Sequence, residues 1–227
     1  MNAQTIFDYA AGRIIPSYRF HKNYENAMEE VFIKEEYRWL MQGLKEPTIA
    51  VDIGAFCGES TLYLAREPKI KKVLAYEPFP FNYNIAKANI AHSQYSSKII
   101  LKNAAISNTT NTIRLSQAPQ MMTAKAKPIR SGIPVQELQL QSQIAPYRNV
   151  IIKCDCEGAE HRIITGDTDL SNVYRMQIEY HYGSQQIPEI LRQKGFTVSE
   201  QKTMNTLLSG EVGWTFGEEE YTNEVES

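Results

Sequence analysis

The sequence predicts an α/β protein: a mostly parallel sheet with helices on both faces and an antiparallel strand at its C-terminal edge. Three observations carry that prediction. The runs TIAVDIG, KKVLAYE and NVIIKCDC are apolar at consecutive positions, as strands buried on both faces are. Helical patterns separate these runs, which makes neighbouring strands parallel. The last two strand-like runs, FTVSEQ and VGWTFGE, have no helix between them and so pair antiparallel.

The elements follow in order. Residues 1–46 form a helical N-terminal extension. Its stretch HKNYENAMEEVFIKEEYRWLMQGLKEP puts Met28, Val31, Phe32, Trp39 and Leu40 in helical register, with Asn23 as N-cap and Pro47 as stop. The extension is rich in aromatics, most of them packing groups and a minority candidates for a pocket wall. One domain spans 47–217. TIAVDIG is its first strand, a helix runs from about Glu59 to Arg66, KKVLAYE is the second strand and NYNIAKANIAH the second helix. KIILKNAAIS reads as a third strand, NVIIKCDC as a fourth followed by the helical GAEHRIITG, and YRMQIEYHY as a fifth. IPEILRQKG is a helix with Gly195 as its C-cap residue. Residues 116–132 read as a long loop on the ligand side of the sheet, and 218–227 as an acidic tail.

At 227 residues, 42% of them apolar, the chain can bury a real core. Its 24 basic and 26 acidic side chains leave a net charge of −2, so no basic field recruits nucleic acid or an anionic membrane. No apolar run approaches the roughly 18 residues that a membrane span needs, and no secretory signal pattern opens the sequence. Three cysteines, Cys57, Cys154 and Cys156, are an odd count without disulfide-framework spacing, which fits the cytoplasm. No Cys/His pair accompanies Cys154 and Cys156, so no metal site is expected there.

The stretch VDIGAFCGES ends the first strand with two glycines and an acid. Gly54 lets the chain turn sharply, and Gly58 lets the next helix start close to a ligand or to the strand. Ligands of open parallel sheets bind beyond the carboxyl ends of the strands. Glu77 ends the second strand about 20 residues on, where a nucleoside site places an acid to accept the protons of a ribose diol. An ordinary solvated strand-end acid is the alternative. A dinucleotide fingerprint needs glycine where this chain has Phe56 and Glu59, and Glu59 would repel phosphate at the helix start. The site therefore suits a nucleoside without phosphates. S-adenosylmethionine is such a ligand, and Asp52 and Glu59 would lie near its ammonium or sulfonium charge.

VDIGAFCGEST, AYEPFPFNYNIAKANI, IIKCDCEGAEHRII and IEYH, in that order, resemble the FkbM-type family of S-adenosylmethionine-dependent methyltransferases. The most specific piece is K-x-D-x-E-G-A-E, here Lys153, Asp155, Glu157, Gly158, Ala159 and Glu160; E-P-x-P-x-N stands at Glu77, Pro78, Pro80 and Asn82. The resemblance covers about 48–200. It implies a seven-stranded class I (Rossmann-like) methyltransferase fold and, most often, O-methylation of a hydroxyl on a sugar or natural product, with no obligatory metal. Within that frame Gly54, Ala55, Phe56 and Gly58 form the turn around the methionine part of the cofactor. Ser60 and Thr61 open the helix beside it. Glu77 holds the ribose, Pro78 and Phe79 shape the adenine slot, and Asn103, Ala104 and Ala105 meet the adenine edge. Asn103 as a plain turn residue is the alternative.

Asp155, Glu157 and Glu160 cluster past the fourth strand, and period-two alternation puts Asp155 and Glu157 on one side. Glu179 and His181 share a face at the end of the fifth. Together they read as a polar wall orienting an acceptor hydroxyl, with Asp155, Glu157 and His181 as the catalytic candidates. His181 is the preferred base because imidazole titrates near neutral pH; a hydrogen-bonded strand-end histidine and a cation held by the acids are the alternatives. The N-terminal extension and the 116–132 loop are candidate lids. The acceptor is a small molecule or a glycan, and an oligomer is compatible with the sequence. A dinucleotide oxidoreductase and a non-catalytic nucleoside-binding module are the competing functional readings.

Overall fold

The computed structural model describes residues 27–115, 132–180, 186–202 and 213–218. The strands are β1 Thr48–Ile53, β2 Ile70–Tyr76, β3 Ile99–Lys102, β4 Ala105–Ser107, β5 Thr112–Leu115, β6 Ile133–Gln139, β7 Val150–Asp155, β8 Val173–Tyr180, β9 Thr197–Lys202 and β10 Gly213–Glu218. The α-helices are α1 Arg38–Met41, α2 Glu59–Ala65, α3 Pro80–Ala91, α4 Leu140–Ile144, α5 Glu160–Ile164 and α6 Ile187–Gln193. Among the described residues seven strands form one sheet in the order β3-β2-β1-β7-β8-β10-β9. β1 pairs in parallel with both β2 and β7, and β7 in parallel with β8. Strand order therefore reverses between β1 and β7, and a crevice for ligands opens at their carboxyl ends.

Two outcomes differ from the expected edge and third strand. β10 pairs antiparallel with both β8 and β9, so the last strand lies one place in and β9 is outermost. The crossover through α6 carries the chain one strand-width past β8, and the returning hairpin fills the gap. KIILKNAAIS is two strands, not one. β3 joins the main sheet, the chain turns at Asn103 and Ala104, and β4 pairs with β6 in a second sheet of order β4-β6-β5.

Alternation sorts the two faces of the main sheet. One face presents Val51, Ile53, Ile152, Cys154, Met176 and Ile178 to Leu140, Ile144, Ile163, Ile164, Ile187 and Leu191. On the other, Ala50, Val73 and Ile151 meet Tyr63 and Leu64 of α2, together with Val31, Tyr37, Leu40 and Met41. The carboxyl-end positions of this second face are polar yet buried: Asp52, Lys153 and Gln177 are at most 2% exposed. A polar layer lies there, between sheet and N-terminal segment.

That segment is not the continuous helix its periodicity suggests. A wide helical turn at Glu29–Ile33 ends at Lys34, Glu35 takes φ +52, and α1 restarts at Arg38. Met28, Val31 and Leu40 are buried as the register requires. Arg175 Nη1 donates to the carbonyls of Trp39 (2.9 Å) and Gln42 (2.6 Å), and Gln177 Nε2 to that of Glu36 (3.1 Å), tying the segment to β8. Residues 1–26, 116–131, 181–185, 203–212 and 219–227, with the Asn23 cap, the expected loop, His181 and the acidic stretch among them, lie outside the described residues. No helix among the described residues is long and apolar enough to cross a membrane.

Candidate active site

Both glycines after β1 answer first to neighbouring chain. Gly54 has φ +83, and a Cβ there would lie 1.8 Å from the Asp155 carbonyl oxygen at the end of β7. Gly58 has φ +89, and its Cβ would lie 3.3 Å from Ala86 Cα on α3. The glycines let β1, β7 and α3 close around the turn. The N–H groups of Gly54 and Ala55 both donate to the Tyr76 carbonyl at 3.0 Å, which pins the turn to β2. Phe56 follows with φ +45, a conformation unfavourable for a side chain of its size. Its N–H donates to Glu77 Oε2 at 2.9 Å, which holds it there.

Glu77 is the hinge of the site. Oε1 accepts the Phe79 N–H at 2.9 Å, so one carboxylate bridges the turns after β1 and β2. It is 4% exposed. Burial pushes its carboxyl up to about 8, against the opposing pull of the Phe79 and Phe56 N–H groups and of Lys153. Each oxygen carries one N–H and keeps a further lone pair for a hydroxyl donor. Asn103 closes the same corner from β3, its Nδ2 donating to the carbonyls of Glu77 (2.8 Å) and Pro78 (3.0 Å). Its amide N–H groups thus hold the loop, as the turn reading has it. Ala104 is buried, and Ala105 packs with Phe79 against Ile113, Leu115 and Val135, so the second sheet backs the expected adenine slot.

Asp52, Ser60 and Thr61 are arranged differently from the sequence reading. Their side chains turn to one another: Asp52 Oδ2 accepts Ser60 Oγ at 2.8 Å and Thr61 Oγ1 at 2.5 Å. Asp52 Oδ1 lies 3.3 Å from Lys153 Nζ. All three are fully buried, so their side chains brace the turn from beneath. Glu59 is buried too, accepts from Cys57 Sγ at 3.1 Å, and is pushed up to about 7 by burial against the pull of Lys153.

The acid wall is split by the end of β7. Asp155 is half-buried and stands in register with Glu179 on β8, so two carboxylates flank the crevice beside the Gly54 turn. Glu157 lies beyond the strand with φ +55, followed by Gly158 at φ +104, so the period-two argument linking it to Asp155 fails there. Glu160 is not part of the wall. Its Oε1 accepts the N–H groups of Cys156 (3.2 Å) and Gly158 (3.0 Å), shaping the loop ahead of α5. The sequence reading missed Glu36, which the broken N-terminal helix brings within the field of Glu179. Burial, then Glu179 and Glu30, push its carboxyl up to about 8. The expected base His181 lies outside the described residues, two positions after Glu179.

The methyltransferase FkbM domain matches residues 52–202, well over half of the chain. No curated protein matches. Among solved structures, a protein described as an rRNA methylase from Clostridium thermocellum has TM-score 0.51 at 11% identity, covering 83% of this chain and 96% of that one. Precorrin-6y C5,15-methyltransferase from Geobacter metallireducens has TM-score 0.48 at 13% identity, covering 83% and 88%. TrmK of M. capricolum, in complex with S-adenosylhomocysteine, has TM-score 0.47 at 12% identity, covering 81% and 67%. The residues present suit an adenosyl donor. Glu77 keeps acceptor capacity for a diol at the end of β2, and Phe56 occupies the place where pyrophosphate would need glycine. The chain belongs to the FkbM methyltransferase family, and its cofactor is S-adenosylmethionine.

Proposed function

We propose that this methyltransferase acts on a hydroxyl oxygen of a small-molecule or glycan acceptor. The observation that carries the reading is the register of Asp155 with Glu179, which puts two carboxylates at the crevice beside the donor turn. S-adenosylmethionine supplies an electrophilic methyl on a sulfonium that is already a good leaving group. The protein's task is therefore alignment, water exclusion and removal of the hydroxyl proton. Glu77 grips the donor's ribose, and the Gly54–Gly58 turn passes round its methionine part. Pro78, Phe79, Asn103, Ala104 and Ala105 form the adenine side.

Asp155 and Glu157 orient the acceptor hydroxyl, and His181 takes its proton, on the ground that imidazole titrates near neutral pH. The net charge of −2 supports an acceptor that is not nucleic acid. Three free cysteines support a cytoplasmic setting. Residues 47–217 form the catalytic unit, with the N-terminal segment as cover on the acceptor side.

Incubation with methyl-labelled donor against panels of sugars, hydroxylated natural products and bulk RNA tests the reading. Label on a hydroxyl oxygen, lost in His181→Ala, is the expected result. Label on RNA, or on nitrogen or carbon only, would refute it.

A further inference from the structure

Lys153 is buried beneath the donor turn, where its side chain meets an acid, backbone carbonyls and an aromatic ring at once. Its ammonium is buried on β7, 3.3 Å from Asp52 Oδ1, 3.5 Å from the Ile53 carbonyl and only 2.6 Å from the Gly54 carbonyl. The Tyr37 ring covers it at 5.7 Å, from a segment that precedes the matched family domain. A buried ion pair is no more stabilising than well-packed apolar residues of similar size, so stability alone does not account for a lysine here. Its shortest contact is with the donor turn, not with its counter-ion.

The consequence runs along the backbone. The peptide between Gly54 and Ala55 is gripped at both ends: its oxygen by Lys153, its N–H by the Tyr76 carbonyl at 3.0 Å. A positive charge on a peptide oxygen polarises that peptide and strengthens the hydrogen bond made by its N–H. The next N–H, that of Phe56, falls on Glu77 Oε2. We propose that Lys153 is a positioning residue: its ammonium fixes the Gly54 carbonyl and so sets the peptides that present Glu77 to the donor. This rests on the donor binding at the Gly54–Gly58 turn.

Titration calorimetry of the full chain with S-adenosylhomocysteine, beside thermal melts, tests it. Lys153→Met alone strands Asp52 in the interior and lowers the melting temperature. Asp52→Asn with Lys153→Met removes both charges and brings the melting temperature back towards wild type. The double variant is expected to bind at least about tenfold more weakly, the lower end for losing a hydrogen bond to a charged group. Its KM for the donor rises, while KM for the acceptor is unchanged. Wild-type affinity in the double variant would overturn the proposal.

Should the double variant not fold, Asp52→Asn with Lys153→Gln decides, because it exchanges the buried ion pair for a neutral amide pair and strands neither partner. Without the charge on the Gly54 carbonyl, affinity about fivefold below wild type is expected, and wild-type affinity would overturn the proposal. Glu77→Gln separates this from the underlying reading. Tight binding that ignores Glu77→Gln would refute the donor site itself, whereas sensitivity to Glu77 with indifference to Lys153 refutes only the positioning role.

Discussion

Replacing Glu77 by Gln removes one charge and exchanges one acceptor oxygen for an amide donor, at a carboxylate that holds two backbone N–H groups at 2.9 Å each. One of those N–H groups loses its acceptor, which costs about 1–3 kcal/mol of stability. Two ribose hydroxyls lose a charged partner, a loss of about 3 kcal/mol in donor binding, or about 100-fold in Kd. The wild-type protein carries a pH signature as well. Burial pushes Glu77 up to about 8 in the free protein, so near pH 7 only about one molecule in ten has the ionised form that a diol needs. Donor affinity should climb about tenfold per pH unit towards 8 and level off above it, with proton release on binding. Glu59, pushed up to about 7, titrates lower, and Glu59→Gln separates the two. Calorimetry with S-adenosylhomocysteine from about pH 6 to 9, in two buffers of different ionisation enthalpy, measures both quantities. An affinity flat across that range, or a Glu77→Gln protein binding as wild type, would refute the reasoning.

Gly54→Ala should cost about 3 kcal/mol or more in urea unfolding, because its Cβ would overlap the Asp155 carbonyl, whereas Gly166→Ala, with open space around it, should cost only about 1–2 kcal/mol from its positive φ. Glu36, Glu59 and Glu77 are all raised above the ordinary carboxylate value, so the folded chain binds their protons more tightly than the unfolded one. Their contribution to stability is full below about pH 4.5 and is lost as pH rises to about 8, so the melting temperature of the free protein should fall across that window and fall less in Glu36→Gln. Arg162→Ala leaves Glu137, 1% exposed, without the partner that donates to it at 2.8 Å, and should cost about 1–3 kcal/mol, read as a lower urea midpoint. His181→Ala should lower methyl transfer by about 10²–10⁴ with donor affinity unchanged; equal rates would remove His181 from the reaction.

The parallel core was legible because β1, β2 and β7 carry consecutive buried apolar residues, whereas β8 alternates Met176 and Ile178 with Arg175, Gln177 and Glu179. β5 and β6 were not. Glu137 points inward on β6 to meet Arg162 and Thr109, so the stretch IPVQELQ hides its alternation behind a buried acid. The break in the N-terminal helix was equally hidden, since Glu35 takes φ +52 without being glycine or asparagine. At the site, the place of Glu77 just past β2 was readable from the apolar run before it, whereas its bridge to the Phe56 and Phe79 N–H groups was not. Asp52 was misread because a carboxylate at a strand end looks the same whether it faces a ligand or a buried lysine. The partner that decides the matter, Lys153, lies about 100 residues away in sequence. Gly54 was read as allowing a sharp turn, which its φ of +83 bears out, but the backbone of β7 that also excludes a side chain there was not visible in the sequence.

A crystal structure of the protein with S-adenosylhomocysteine tests the central claim most directly. The account predicts both ribose hydroxyls within hydrogen-bonding distance of the Glu77 carboxylate, with the homocysteine part beside Gly54 and Ala55. A ribose held by any other side chain, with Glu77 touching only the Phe56 and Phe79 N–H groups, would contradict it.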